Sequence, residues 1–195
     1  VLPIRCIDLD GNHNRRKEST VKKYVFLGLT MLFCGAVGTA TGQGPAVQWR
    51  ATMFGTNEVP PIATAASGTF SATIQPNGDI TFSETFSGLA ANATVSHIHF
   101  APTDVAGGVM IFLCGGGGQP ACPAATSGSF QGTIMAANVV GPTAQGIAPG
   151  NLSAALQAVA QGEGYVNIHD SVFPAGEIRG QVRLPDANQG NNNQQ

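Results

Sequence analysis

The residues best suited to chemistry in this chain are three histidines. His97 and His99 stand two apart in Val95-Ser96-His97-Ile98-His99-Phe100, and His169 sits in an echo of that stretch, Tyr165-Val166-Asn167-Ile168-His169-Asp170. Side chains alternate along a strand, so His97 and His99 leave from one face and Ile98 from the other. By the same rule Tyr165, Asn167 and His169 share a face. Two imidazoles so placed can grip one ion, and imidazole suits copper and zinc. A third from a neighbouring strand would complete a three-nitrogen set with an open position, the pattern of a catalytic rather than a structural centre. Asp170 and Glu177 are near enough in sequence to orient an imidazole from behind. Glu58, beside Pro60-Pro61, either caps a loop or joins the histidines. The competing expectation is architectural: the histidines hydrogen-bond across the end of a sandwich, with Asn167 and Glu177 satisfying loop backbone groups. Arg179, two residues from Glu177 and so on its face, either ion-pairs with it in an exposed arrangement worth about 0–1 kcal/mol or binds a ligand.

Other chemistries find less support. Cys114 and Cys122 flank Gly115-Gly116-Gly117-Gly118-Gln119-Pro120-Ala121. In an exported protein such a pair points to a disulfide, since metal sites present tighter spacings and more thiols. The glycine run lacks the lysine and the strand-to-helix setting of a phosphate cradle. Trp49 and Tyr165 read as packing residues rather than a carbohydrate platform. No serine–histidine–acid signature for hydrolysis stands out.

The elements that must position the histidines are short strands. Ala46 to Phe54 alternates, and Pro60-Pro61 ends that run. Gly68 to Ile74 places Phe70, Ala72 and Ile74 on one face; Gln75-Pro76-Asn77-Gly78-Asp79 is a hairpin signal, and Ile80 to Phe86 returns. After the cysteine loop, Ser127-Gly128-Ser129-Phe130-Gln131-Gly132-Thr133-Ile134 resembles residues 67–74. With the two histidine strands, this suggests a weak internal duplication of 46–113 and 127–184. Only Leu152 to Ala160 has helical spacing, with Gly162 to stop it.

The ends read differently from the middle. A basic cluster (Arg15, Arg16, Lys17, Lys22, Lys23) precedes an apolar run from Tyr24 to Val37 and the small residues Gly38-Thr39-Ala40-Thr41-Gly42. This is the pattern of a secretory signal peptide over 21–42, and its apolar run is too short to span a bilayer. Residues 1–20 are a polar preface expected to be untranslated or disordered, with the true start at Val21. The polar tail 185–195 is expected to be disordered. From Gln43 onward three arginines face eight carboxylates, a net charge of −5. That balance excludes electrostatic attraction to nucleic acid or to anionic lipid, and leaves the membrane only a role in handling the leader.

The ordered stretch 46–184 resembles a CHRD (chordin) domain. The resemblance rests on Asn57-Glu58-Val59-Pro60-Pro61, Gly88-Leu89, His97-Ile98-His99, Gly107-Gly108-Val109, Gly164 to His169 and Gly176 to Val182. It implies an all-β, Greek-key β-sandwich at the cell surface or secreted, periplasmic or extracellular. In order of ligands, His97-x-His99 followed by His169 and Arg179 is also similar to Cu/Zn superoxide dismutases, which implies copper ligands at the three histidines and an anion-guiding role for Arg179. The histidine-rich zinc loop of those enzymes is missing here. The function expected is an exported, non-catalytic binding or surface module with an extracellular or cell-surface ligand. The alternative is a superoxide-dismutase-like protein holding copper, or zinc, on His97, His99 and His169.

Overall fold

The computed structural model describes residues 46–184. The expected leader 21–42, the preface 1–20 and the tail 185–195 lie outside the described residues.

Alternation of apolar and polar side chains builds the first three strands, β1 (Val47–Phe54), β2 (Ser67–Ile74) and β3 (Ile80–Ser87), which run as an antiparallel meander. The expected hairpin between β2 and β3 forms, with Gly78 at φ +91° and Asn77 Oδ1 accepting from the Asp79 backbone N–H at 3.1 Å. The chain then crosses to a hairpin of β4 (Ala93–Phe100) and β5 (Gly108–Cys114), and β6 (Gly128–Ile134) returns to pair with β3. After the helix α1 (Leu152–Ala160), β7 (Gly164–Asp170) pairs with β4 and β8 (Ile178–Gln181) with β7.

The resulting order is β5-β4-β7-β8-β1-β2-β3-β6, antiparallel throughout. It folds over as the all-β Greek-key sandwich that the CHRD resemblance implies. The halves β5-β4-β7-β8 and β1-β2-β3-β6 join at one corner, where β8 meets β1 at the pair Phe54–Arg179. The similar segments are close neighbours: β2 and β6 flank β3, and β4 pairs with β7.

Between the halves lies the core. Trp49, Met53, Phe70 and Phe82 face Ile98, Leu113, Ile168 and Ile178, all buried; each such side chain contributes about 1.5–3 kcal/mol on leaving water. The helix covers the side of this core over the residues expected. Asn151 Oδ1 caps it by accepting from the Ala154 N–H at 3.1 Å. Gly164 lets it approach, because a Cβ there would sit 2.7 Å from Val159 Cγ2.

The strands that carry the histidines are buried on both faces: β7 at all seven positions, and β4 from Ser96 to His99. One face of each meets the apolar core. The other carries the polar residues of interest.

Candidate metal centre

Strand register assembles the polar face. Tyr165 lies opposite His99, Asn167 opposite His97 and His169 opposite Val95. Phe112 on β5 is opposite His97, and Arg179 on β8 opposite Asn167. The three histidines thus converge, at 7%, 8% and 7% exposure for His97, His99 and His169. One nitrogen from each lies within 4.8 Å of the others, and His97 Nδ1 is 3.2 Å from His169 Nε2.

Backbone carbonyls decide which nitrogens are free. His99 Nδ1 is 3.0 Å from the Gly107 carbonyl and His169 Nδ1 is 3.0 Å from the Pro174 carbonyl. A carbonyl only accepts, so both rings carry a proton on Nδ1 and, when neutral, present an unprotonated Nε2. Burial first, and the charges of the neighbouring imidazoles second, hold His97 down to about 3. Burial likewise holds His99 down to about 4 and lowers His169. These are neutral imidazoles at ordinary pH, the form a metal takes. His99 Nε2 is buried with no hydrogen-bond partner, and His169 Nε2 faces Asn167 Oδ1 at 2.9 Å. His97 Nδ1 donates to that bare Nε2 of His169 in the metal-free protein; with this one proton displaced, three imidazole nitrogens converge in a donor set that fits copper or zinc.

Phe112 and Tyr165 wall the cluster. Phe112 meets His97 edge to face at 4.5 Å, and Tyr165 stacks on His99 while its hydroxyl accepts from the Gly107 N–H at 3.1 Å. Cys114 and Cys122 form the expected disulfide. The glycine loop it closes wraps Phe112: a Cβ at Gly116 would lie 2.4 Å from the Phe112 ring.

The acidic residues divide. Asp170 turns away from the imidazoles: Oδ1 accepts from the Val172 and Phe173 N–H groups at 2.9 and 2.6 Å, and Oδ2 from Ala91 N–H at 2.6 Å. It acts on His169 through its charge alone, which raises that imidazole against the effect of burial. Glu177 accepts from Thr64 Oγ1 at 2.7 Å and from the Ala90 N–H at 3.0 Å. Both carboxylates therefore tie the loop before β4 to the segment between β7 and β8, and neither hydrogen-bonds a histidine.

Arg179 does not form the exposed ion pair with Glu177 allowed by their spacing. Glu177 precedes β8 and is consumed by the loops, whereas Arg179 is 2% exposed, its guanidinium 3.3 Å over the Tyr165 ring and donating to the Pro102 carbonyl at 3.0 Å. An arginine so engaged is not a free anion guide. Glu58 does join the histidine side of the fold, buried near Asn167 and Arg179. Burial pushes its carboxyl up to about 7, against the pull of Arg179 and the Asn167 amide.

A buried carboxylate also stands outside the residues singled out from the sequence. Glu84 is fully buried in the core, both carboxylate oxygens 2.9 Å from Ser96 Oγ, and burial pushes it up to about 8. The signal was present: Glu84 follows Ile80 and Phe82 in step on the buried face of β3.

Fold and site together define an all-β Greek-key domain with a buried histidine triad on the outer face of one sheet. The chain belongs to the CHRD domain family, whose model matches residues 49–182. Among curated proteins and among solved structures the comparisons found no significant match. Family membership makes this a binding or structural module in general terms; the likeness to superoxide dismutases rests on the order of the histidines.

Proposed function

We propose that this domain is an exported, non-catalytic binding module whose histidines His97, His99 and His169 hold one copper or zinc ion. The observation that carries this reading is the buried, unpartnered Nε2 of His99 beside the Nε2 of His169 and the Nδ1 of His97. A buried polar atom without a partner costs roughly 1–3 kcal/mol, and an ion shared by three imidazoles would offset that. Export is supported by the leader pattern over 21–42 and by the Cys114–Cys122 disulfide, a bond that persists in oxidising compartments.

Titration calorimetry of the purified protein with Zn(II) and with Cu(II) tests the reading. About one ion per chain is expected, and loss of that binding in His97→Ala/His99→Ala. No binding, or equal binding in the variant, would overturn it. The copper-enzyme alternative shares these ligands and draws on the same ligand order; superoxide dismutation by the copper-loaded protein, lost in His97→Ala, would favour it over a non-catalytic role.

A further inference from the structure

We infer that Glu58 is a specificity-determining residue of the histidine centre: acting through Asn167, its carboxylate matches the site to a divalent rather than a monovalent ion. The inference rests on the triad holding a metal and adds the charge that the triad lacks.

Three neutral imidazoles bring no charge to an ion. Among the described residues, the charged groups near them are few. Asp170, whose charge reaches His169, is offset by Arg179, a cation locked onto Tyr165, and Glu177 spends its oxygens on the Ala90 N–H and on Thr64 in the loops. A doubly charged ion placed beside Arg179 would stand in a buried, electropositive spot, which is costly without a counter-charge.

Glu58 supplies it. The side chain is 7% exposed, and its Oε1 is buried with no hydrogen-bond partner. Its backbone is pinned by the N–H bond to the Gly55 carbonyl at 3.0 Å. A single residue shows how closely it approaches Asn167. A Cβ at Gly176 would lie 2.5 Å from Asn167 Nδ2 and 2.6 Å from Glu58 Oε1, so only glycine, here at φ +121°, leaves room for both atoms on the same spot of backbone. The other end of that amide points at the triad, with Oδ1 2.9 Å from His169 Nε2. Asn167 therefore lies between the carboxylate and a ligand nitrogen. Its Nδ2 faces negative charge and its Oδ1 turns the negative end of the amide dipole toward the ion position. Groups placed one shell behind metal ligands in this way commonly change affinity by about 10–100-fold when removed.

Comparing Zn(II) with Cu(I) separates charge matching from mere packing. Affinities of the wild-type protein, Glu58→Gln and Glu58→Asp would be measured at pH 8, with Cu(I) handled anaerobically against a competing chelator. Glu58→Gln is expected to lose about 10–100-fold for Zn(II) and clearly less for Cu(I). Glu58→Asp, which keeps the charge, should preserve the wild-type ratio of the two affinities. Equal losses for both ions in Glu58→Gln, or no loss, would overturn the role of Glu58 while leaving the histidine centre standing; so would a Glu58→Asp ratio that follows Gln. A wild-type protein that binds neither ion would overturn both.

Discussion

Tyr165 and His99 stack face to face, ring centroids 4.7 Å apart and planes within 4° of parallel. Arg179 covers the opposite face of Tyr165, so guanidinium, phenol and imidazole form three layers contributed by β8, β7 and β4. The stack fixes the plane of His99, while the Gly107 carbonyl fixes which of its nitrogens carries the proton.

Removing the outer layer should be costly. A desolvated cation–π contact contributes about 2 kcal/mol, and the Arg179 bond to the Pro102 carbonyl adds to it. Arg179→Ala is expected to lower stability by about 2–4 kcal/mol in urea denaturation. Arg179→Lys should recover little, because an ammonium does not lie flat on a ring. Full recovery by lysine would show that charge alone matters there.

Glu84 makes stability depend on pH in the alkaline direction. The folded protein keeps its proton to about pH 8, whereas the unfolded chain releases it near the ordinary carboxyl value of 4.5. The folded state therefore holds more protons across that window, and stability falls as pH rises through it, at about 1.4 kcal/mol per pH unit for one group. Glu58, pushed up to about 7, adds the same sign below pH 7. Between pH 7 and 8 the decline belongs mainly to Glu84, and Glu84→Gln should flatten it in unfolding free energies measured at those two values. An unchanged slope would place its source elsewhere.

The histidines act in the opposite sense in metal-free protein. Their folded values are lowered from 6.5, to about 3 for His97 and about 4 for His99, with His169 also lowered. Below pH 6.5 the unfolded chain takes up protons that the folded protein refuses, so stability falls as pH drops toward 4. The two carboxyls pull the other way across the same range, but three imidazoles outnumber them there and the carboxyls act alone above it, so thermal unfolding should show a maximum between about pH 6 and 7. Each histidine replaced by phenylalanine should remove about one proton's worth of the acid limb.

The disulfide and the wall of the site should prove coupled. Closing so short a loop contributes about 2–3 kcal/mol, so Cys114→Ser/Cys122→Ser is expected to lose that amount. Because the glycine loop wraps Phe112, and Phe112 packs on His97, the same variant should also shift the His97 proton resonances. A stability loss with His97 unmoved would separate the loop from the site.

Period-two alternation by itself determined that His97 and His99 share a face, that Tyr165, Asn167 and His169 share another, and that Phe70 and Ala72 point inward. The helix over Leu152–Ala160 and the Cys114–Cys122 pair were equally legible, because spacing along the chain decides each locally. Tertiary structure alone decided that β4 and β7 are neighbours in the register that sets Asn167 opposite His97, which turns two separate faces into one site. It also decided the charged residues. Glu177 and Arg179 are two apart, yet loop N–H groups claim one and an aromatic ring claims the other. Glu84 keeps the apolar beat of its strand, and a serine from the opposite sheet satisfies it. A side chain's direction is a property of its own backbone. Its partner depends on which distant segment folding brings to face it.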